Sequence, residues 1–397
     1  MKFYPFILAG LSTHLLTFGD AFSSPSSNIL TSPSALRGKK LSHSTQLNIS
    51  SSNKDGTSGA ASQNVFGIVS DALTELSFSI LHAFDADPIK DSSKNLRVLW
   101  VRALLDKKGM IEDDVAEKFL PPSTKGLVTS DAGASFLGPA VKFTEWIQAR
   151  TEFIDKGVNY FLENPLCTSS TEGKKPCNIV LFGAGYDTRA LRFRNKHDGK
   201  INFFEVDLPE VVKGKKILYD KFRSEHDPDY KNGSKLIPLD LNQCGSDSVS
   251  EPVSLIDTLK KNGLDPDLPT FFVFEAVLFY VNESAVRNIM SELFSYSQSD
   301  KSESMLCLTD SLKPFVDVPF SNEARVFFEE NNMNLMEHRS RWGGAVHFCL
   351  AASKKVSKVE GTSDVIAQYV DDKVGGIVNS YMVRNSIILH NIISIIS

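Results

Sequence analysis

Cysteine is sparse and unpatterned in this chain, with five in 397 residues. Cys167, Cys177, Cys244, Cys307 and Cys349 are odd in number and form no Cys-x-x-Cys pair, which excludes a disulfide framework and a structural zinc site, so no metal is expected. Cys307 and Cys349 fall in apolar runs and are expected as buried core thiols, and the thiols point to a reducing compartment. An excess of positive charge is also lacking, since 43 Lys and Arg against 48 Asp and Glu leave a net charge of −5. Nothing in that balance draws the chain to phosphate backbones, and no nucleic acid partner is expected. The local basic run Lys213-Gly214-Lys215-Lys216 sits in a helical pattern and reads as a solvated face. Long unbroken apolar runs are missing too. The first 18 residues carry an interrupted one, too short for a bilayer but suited to a signal-peptide core, so no stable membrane span is expected in the mature protein. At 42 % hydrophobic and 23 % charged the composition is that of a globular chain able to bury its own core.

From Ala21 to Lys54 there is no Asp or Glu, while Ser, Thr, Arg37, Lys39, Lys40 and Lys54 are present. This is a transit-peptide composition, and the Ala21-Phe22 junction resembles that of bipartite plastid presequences. Residues 1–60 are therefore expected to be a targeting or disordered leader with a plastid destination. If no such targeting operates, a cytoplasmic location follows. Helical spacing follows over Asp71–Phe84 and Leu96–Leu105, and a long amphipathic helix is predicted over Val141–Glu163. Residues 65–165 are thus expected to form a helical cap.

From Asn178 the pattern changes to short continuous apolar runs alternating with helical segments. The runs are Ile179–Phe182, Ile201–Val206, Leu236–Leu239, Thr270–Tyr280, Met305–Leu308 and His347–Ala352. Continuous rather than alternating apolarity predicts a mostly parallel sheet covered on both faces, a doubly wound α/β domain over residues 177–355. Ligands of such sheets sit at the carboxyl ends of the strands. Residues 356–397 form a tail of unclear status, with the apolar groups Ile387-Ile388-Leu389 and Ile392–Ile396.

Each of the first four runs ends in a group able to meet a ligand. Gly183-Ala184-Gly185-Tyr186-Asp187-Thr188-Arg189 follows the first, and bare glycines allow close backbone approach. No Gly-Lys-Ser/Thr follows, which excludes a P-loop, and Thr188 stands where a dinucleotide fingerprint wants its third glycine. Asp207 closes the second run about twenty residues on, where a carboxylate accepts from both hydroxyls of a ribose. Glu205, two residues earlier, projects to the same side of the strand. Asp240 closes the third run and suits an adenine amino group. Glu275 interrupts the fourth, and a buried carboxylate needs a partner or a ligand.

The ordered series Phe182–Arg192, Phe204–Val211, Leu239-Asp240-Leu241 and Glu275–Val281, with Trp146–Thr151, Leu96–Leu120 and His347–Leu350, resembles the leucine carboxyl methyltransferase family over about Leu96–Lys355. It is most similar to the family's bacterial-type small-molecule branch. The resemblance implies a Rossmann-like class I methyltransferase fold, a doubly wound, mostly parallel seven-stranded sheet with an N-terminal helical cap, and S-adenosyl-L-methionine as cofactor. It implies that Arg150 pairs with the methionyl carboxylate, that Gly183 and Gly185 line the cofactor, and that Asp207 binds the ribose. Asp240 with Leu241 would contact the adenine, and Glu275 would lie near the sulfonium. Tyr280 faces the same edge as a candidate for orienting the acceptor.

Methyl transfer from a sulfonium asks mainly for proximity, alignment and exclusion of water. A carboxylate acceptor needs no general base, whereas a hydroxyl does. The expected activity is O-methylation of a small-molecule carboxylate or hydroxyl by in-line transfer. Three alternatives stay open: a protein C-terminal carboxyl methyltransferase, a catalytically silent methyltransferase fold serving as an interaction module, and a nicotinamide dehydrogenase, which Thr188 disfavours. His347, alone in the last run, reads as a core residue. Oligomeric state leaves no mark on the sequence.

Overall fold

Cys177–Phe182 (β1) is buried along its whole length: parallel strands flank it on both sides, and apolar clusters cover both of its faces. The computed structural model describes residues 93–354 except 122–123, 127–129, 131–140, 170–172, 195, 228–232, 246–251, 299–302, 317–320 and 342–345. The expected leader, the helix expected over Asp71–Phe84 and the apolar tail lie outside the described residues.

After β1 come Ile201–Asp207 (β2), Lys235–Pro238 (β3), Thr270–Glu275 (β4), Ser304–Asp310 (β5), Met333–Arg341 (β6) and Val346–Ser353 (β7). Among the described residues these form one seven-stranded sheet in the order β3-β2-β1-β4-β5-β7-β6. All neighbours are parallel except β7, which runs antiparallel to β5 and β6. The chain steps outward from β1 to β3, then returns to the other side of β1 at β4. That reversal opens the crevice in which doubly wound sheets hold ligands. Register sets the level: Phe182 pairs with Val206 on one side and Phe274 on the other. Gly183, Asp207 and Glu275, each the next residue, therefore leave the sheet together.

The continuous apolar runs divide by parity, as the two-residue period of a strand demands. Val180, Phe182, Phe204, Val206, Phe272 and Phe274 pack on one face with the helices Leu255–Lys261 and Glu283–Gln298. Ile179, Leu181, Phe271 and Val273 pack on the other with Phe153, Ile154, Val158 and Phe161 of the long helix Val141–Glu163. That helix thus covers a sheet face rather than standing apart from it. A further cluster joins the helix Ser93–Lys107 to the Pro209–Glu225 helix through Trp100, Phe119, Tyr219 and Phe222. No helix among the described residues is long and apolar enough to cross a membrane.

Three expectations need correction. The fourth strand stops at Glu275, not Tyr280; Ala276 takes a left-handed φ of 54° and Leu278–Tyr280 turn as a 3-10 helix. β6 had no counterpart in the sequence pattern. It is an edge strand, polar after Met336, with its pairing shifted between Leu335 and Glu337, and a bulge of this kind erases the two-residue alternation. The basic run is not a uniformly solvated face. Lys215 is buried and ion-paired with Glu205, while Lys213 and Lys216 are exposed.

Candidate functional site

At the crevice lies a cavity of about 950 Å³ lined by Arg150, Gly183, Gly185, Asp207, Asp240, Leu241, Glu275 and Tyr280. All the residues singled out from the sequence as cofactor or acceptor contacts are thus brought to one place. Glu205 is not among them: it is buried behind β2, held by Lys215 and the Tyr219 hydroxyl.

The glycines are required by what surrounds them. Gly183 has φ +59°, and a Cβ there would meet Val277 Cγ2 at 2.3 Å. Gly185 has φ +45°, and a Cβ would meet Asn95 Oδ1 at 2.8 Å. Any other residue would strain the backbone and push the turn off its neighbours. The Gly185 N–H donates to Asp207 Oδ2 at 2.6 Å and Leu208 N–H to Oδ1 at 2.7 Å. Burial raises the Asp207 carboxyl, and these two donors work against that shift. An ionised carboxylate accepts about four hydrogen bonds. Asp207 so keeps one acceptor position on each oxygen, the pattern a vicinal diol needs. Asp240 caps the 3-10 helix Leu241–Cys244: its Oδ1 accepts from Asn242 N–H at 2.9 Å and Asn242 Nδ2 at 3.0 Å. These carboxylate acceptors suit the hydroxyls and amino group of an adenosine.

The side of the cavity around Arg150 and Glu275 is electrostatically denser. Arg150 Nε stands 2.8 Å from Glu275 Oε1, and its guanidinium lies over the Trp146 ring, 5.5 Å from the centroid. Glu275 also receives Arg189, which further binds Asp187 and, at 2.5 Å, Asp155 Oδ1. Arg192 binds Asp155 Oδ2 at 2.8 Å. Burial pushes Glu275 and Asp187 up, but the arginines outweigh it and hold both carboxyls below the ordinary range. Glu275, which the sequence left as an unexplained buried charge, is thus neutralised from two sides while still facing the cavity.

The structure adds members that the sequence did not supply. Arg102 Nε donates to Asp113 Oδ2 at 2.7 Å, and Thr188 Oγ1 donates to Asp113 Oδ1 at 2.7 Å. Thr188 is a buried polar node tying the glycine turn to the N-terminal helices, which explains a hydroxyl where a dinucleotide fingerprint has glycine. Asp310, at the end of β5, accepts from the N–H groups of Val277 at 2.6 Å, Leu278 at 2.8 Å and Phe279 at 3.3 Å. It obeys the rule that exposed Asp207 and Asp240, an acid closing an apolar run. It was missed because the run was ended at Leu308. The cavity's remaining wall is aromatic: Phe143, Trp146, Phe279 and Tyr280 line it, with the Trp146 and Phe279 rings edge-on at 6.3 Å. Phe279 and Tyr280 are exposed at 43 % and 65 %.

The leucine carboxyl methyltransferase family model matches residues 94–294, just over half of the 397-residue chain. Leucine carboxyl methyltransferase 1 of Candida albicans is 29 % identical over 156 residues, covering 36 % of this chain and 40 % of that protein. The leucine carboxyl methyltransferase 1 homolog of Arabidopsis thaliana is 27 % identical over 192 residues, covering 47 % and 51 %. The chain thus spans about half, or less, of the length of these curated relatives. Among solved structures, magnesium protoporphyrin IX methyltransferase from Synechocystis with bound S-adenosylmethionine aligns at 12 % identity and a TM-score of 0.34, covering 53 % of this chain and 83 % of that one. That likeness is too slight to add weight. The family match is sufficient by itself: this chain belongs to the leucine carboxyl methyltransferase family, whose cofactor is S-adenosylmethionine.

Proposed function

We propose that the chain transfers the methyl group of S-adenosylmethionine to an oxygen of a small-molecule acceptor, a carboxylate first and a hydroxyl second. One observation carries this: a single cavity joins the glycine turn and the carboxylates of Asp207, Asp240 and Glu275 to an aromatic wall of Trp146, Phe279 and Tyr280. A volume of about 950 Å³ is at the upper end for one bound small molecule, so cofactor and acceptor have room together.

The cofactor supplies an electrophilic methyl group. The chain's part is to bind, orient and keep dry. Asp207 accepts from the ribose, Asp240 and Leu241 hold the adenine, and Arg150 meets the methionyl carboxylate beside Glu275. The aromatic wall excludes water and leaves the acceptor oxygen to approach in line, the kind of positioning worth up to ~7–11 kcal/mol. A carboxylate acceptor is already anionic at neutral pH and asks for no general base, and Arg97, Arg102 and Arg150 on the cavity wall suit an anion. Tyr280 orients it.

The relatives named leucine carboxyl methyltransferase favour a second reading, methylation of a protein's C-terminal carboxylate. The full chain incubated with labelled S-adenosylmethionine and a cell extract, small-molecule and protein fractions analysed separately, distinguishes the two. A base-labile methyl ester in the small-molecule fraction supports the proposal. Label confined to protein supports the second reading, and no transfer to either fraction from a cofactor-binding protein supports a silent fold. Leader composition supports plastid delivery, which a fluorescent fusion to residues 1–60 tests by where it accumulates.

A further inference from the structure

The turn after β4 is the least relaxed backbone near the cavity, and one carboxylate holds it. Ala276 sits in the left-handed region at φ 54°, a conformation that is unfavourable for a non-glycine residue and persists only where surroundings impose it. Its N–H donates to Thr309 O at 3.1 Å. Three consecutive amides, of Val277, Leu278 and Phe279, then converge on the Asp310 carboxylate, and Ser311 N–H donates to the same side chain at 2.8 Å. Asp310 is fully buried. Burial pushes its carboxyl up to about 6 in spite of these donors. At neutral pH it is still charged, and the amides are its solvation.

Two consequences meet on this turn. Val277 seats its side chain against Gly183, on the cofactor half of the cavity. Two residues on, Phe279 and Tyr280 form the exposed aromatic wall, with Phe279 edge-on to Trp146. A buried charge and a strained alanine cost stability. Strain that persists beside a ligand cavity marks a geometry kept for use.

We propose that Asp310 is a positioning residue: by clamping the Val277–Phe279 amides it sets the aromatic acceptor wall at a fixed distance from the glycine turn, and it touches neither cofactor nor acceptor itself. The proposal rests on the reading of this cavity as the methyl-transfer site.

Residue-resolved hydrogen exchange on the full chain, wild type and Asp310→Asn, tests it beside calorimetry with S-adenosylhomocysteine. The asparagine keeps the shape but replaces one acceptor oxygen with a donor. In the wild type, the Val277 and Leu278 amides are expected to be protected although the turn's next residues are exposed. In Asp310→Asn their exchange should speed up at least about tenfold while β1 amides keep their protection, and affinity for S-adenosylhomocysteine should change by no more than about threefold. With an acceptor in hand, its KM should rise with little change in cofactor affinity. Unchanged protection at Val277–Phe279 in the variant would overturn the clamp. Loss spread evenly through β1 and β4 would make Asp310 merely structural. Should the variant fail to fold, the wild type still decides, because rapid exchange at Val277 and Leu278 contradicts the proposal. Failure of the wild type to bind S-adenosylhomocysteine would instead count against the cavity's function and leave the exchange result standing.

Discussion

Arg150 and Glu275 meet at 2.8 Å on the cavity wall, one carried by the long helix and the other by the end of β4. Arg150 is buried, Glu275 keeps a 10 % exposed side chain on the cavity wall, and Arg189 shares the carboxylate. The pair ties the Val141–Glu163 helix to the end of β4 at the cavity wall.

Removing one member leaves uncompensated charge at a largely buried point of the cavity wall. Glu275→Gln strands Arg150 and Arg189 without that counter-charge, and breaking such a buried pair costs about 3–5 kcal/mol. Urea unfolding of the variant is expected to show a loss of that size, and a loss below about 1 kcal/mol would mean the arginines find other partners.

Gly183→Ala combines left-handed strain with a Cβ placed 2.3 Å from Val277 Cγ2. A loss of several kcal/mol is expected, with the left-handed backbone alone accounting for roughly 1–3 kcal/mol. In a double-mutant cycle, Val277→Gly, which removes both the Cγ2 at 2.3 Å and the Cβ at 2.5 Å, should recover the steric share and not the backbone share. Purely additive losses would show that the two residues do not press on one another.

Thr188→Gly writes the dinucleotide fingerprint into the turn. It removes the hydrogen bonds to Asp113 and from Arg102 at a cost of about 1–3 kcal/mol, because Asp113 is left short of a donor in the interior. Thermal unfolding should register the loss, and NADH fluorescence should show no binding in either protein. Binding of NADH by the wild type would revive the dehydrogenase reading.

Stability should also depend on pH through Asp310. Its folded pKa, about 6, lies above the unfolded value of ~3.9. The folded chain therefore holds this proton more tightly, and the stability it contributes is complete below about pH 4 and lost as pH rises through about 6. His347 on β7 pairs with Asp310 on β5 and is bonded to His338, which burial pushes down to about 4; Glu275 ends the neighbouring β4. His338 gives a slope of the opposite sign. Both histidines and Glu275 are present in Asp310→Asn too, so the difference between the two proteins isolates Asp310. Wild type should gain on the variant as pH falls from about 7 to about 4.5 in urea titrations, and a flat difference would deny the shift.

The strand ends that form the cavity were legible because each is a continuous apolar run closed by glycine or acid, a local pattern. The charge network was not. Arg189 and Glu275 are 86 positions apart and Arg102 and Thr188 also 86 apart, so nothing in a window of sequence announces their pairing. Lys215 was misread for the same reason: its partner Glu205 lies on another element, and a lysine in a helical run looks solvated until the strand beneath it is known. Ala276 was invisible because alanine gives no hint of a left-handed backbone; only the carboxylate of Asp310 explains it.

The account stands on Asp207 binding the cofactor's ribose. Calorimetry of the full chain with S-adenosylmethionine is expected to show one site per chain, and Asp207→Ala should weaken it at least about a hundredfold, since two hydrogen bonds to a charged group, each ~1.5–3 kcal/mol, are lost. Binding of equal strength in wild type and Asp207→Ala would contradict it, as would a folded wild type that takes up no cofactor at saturation.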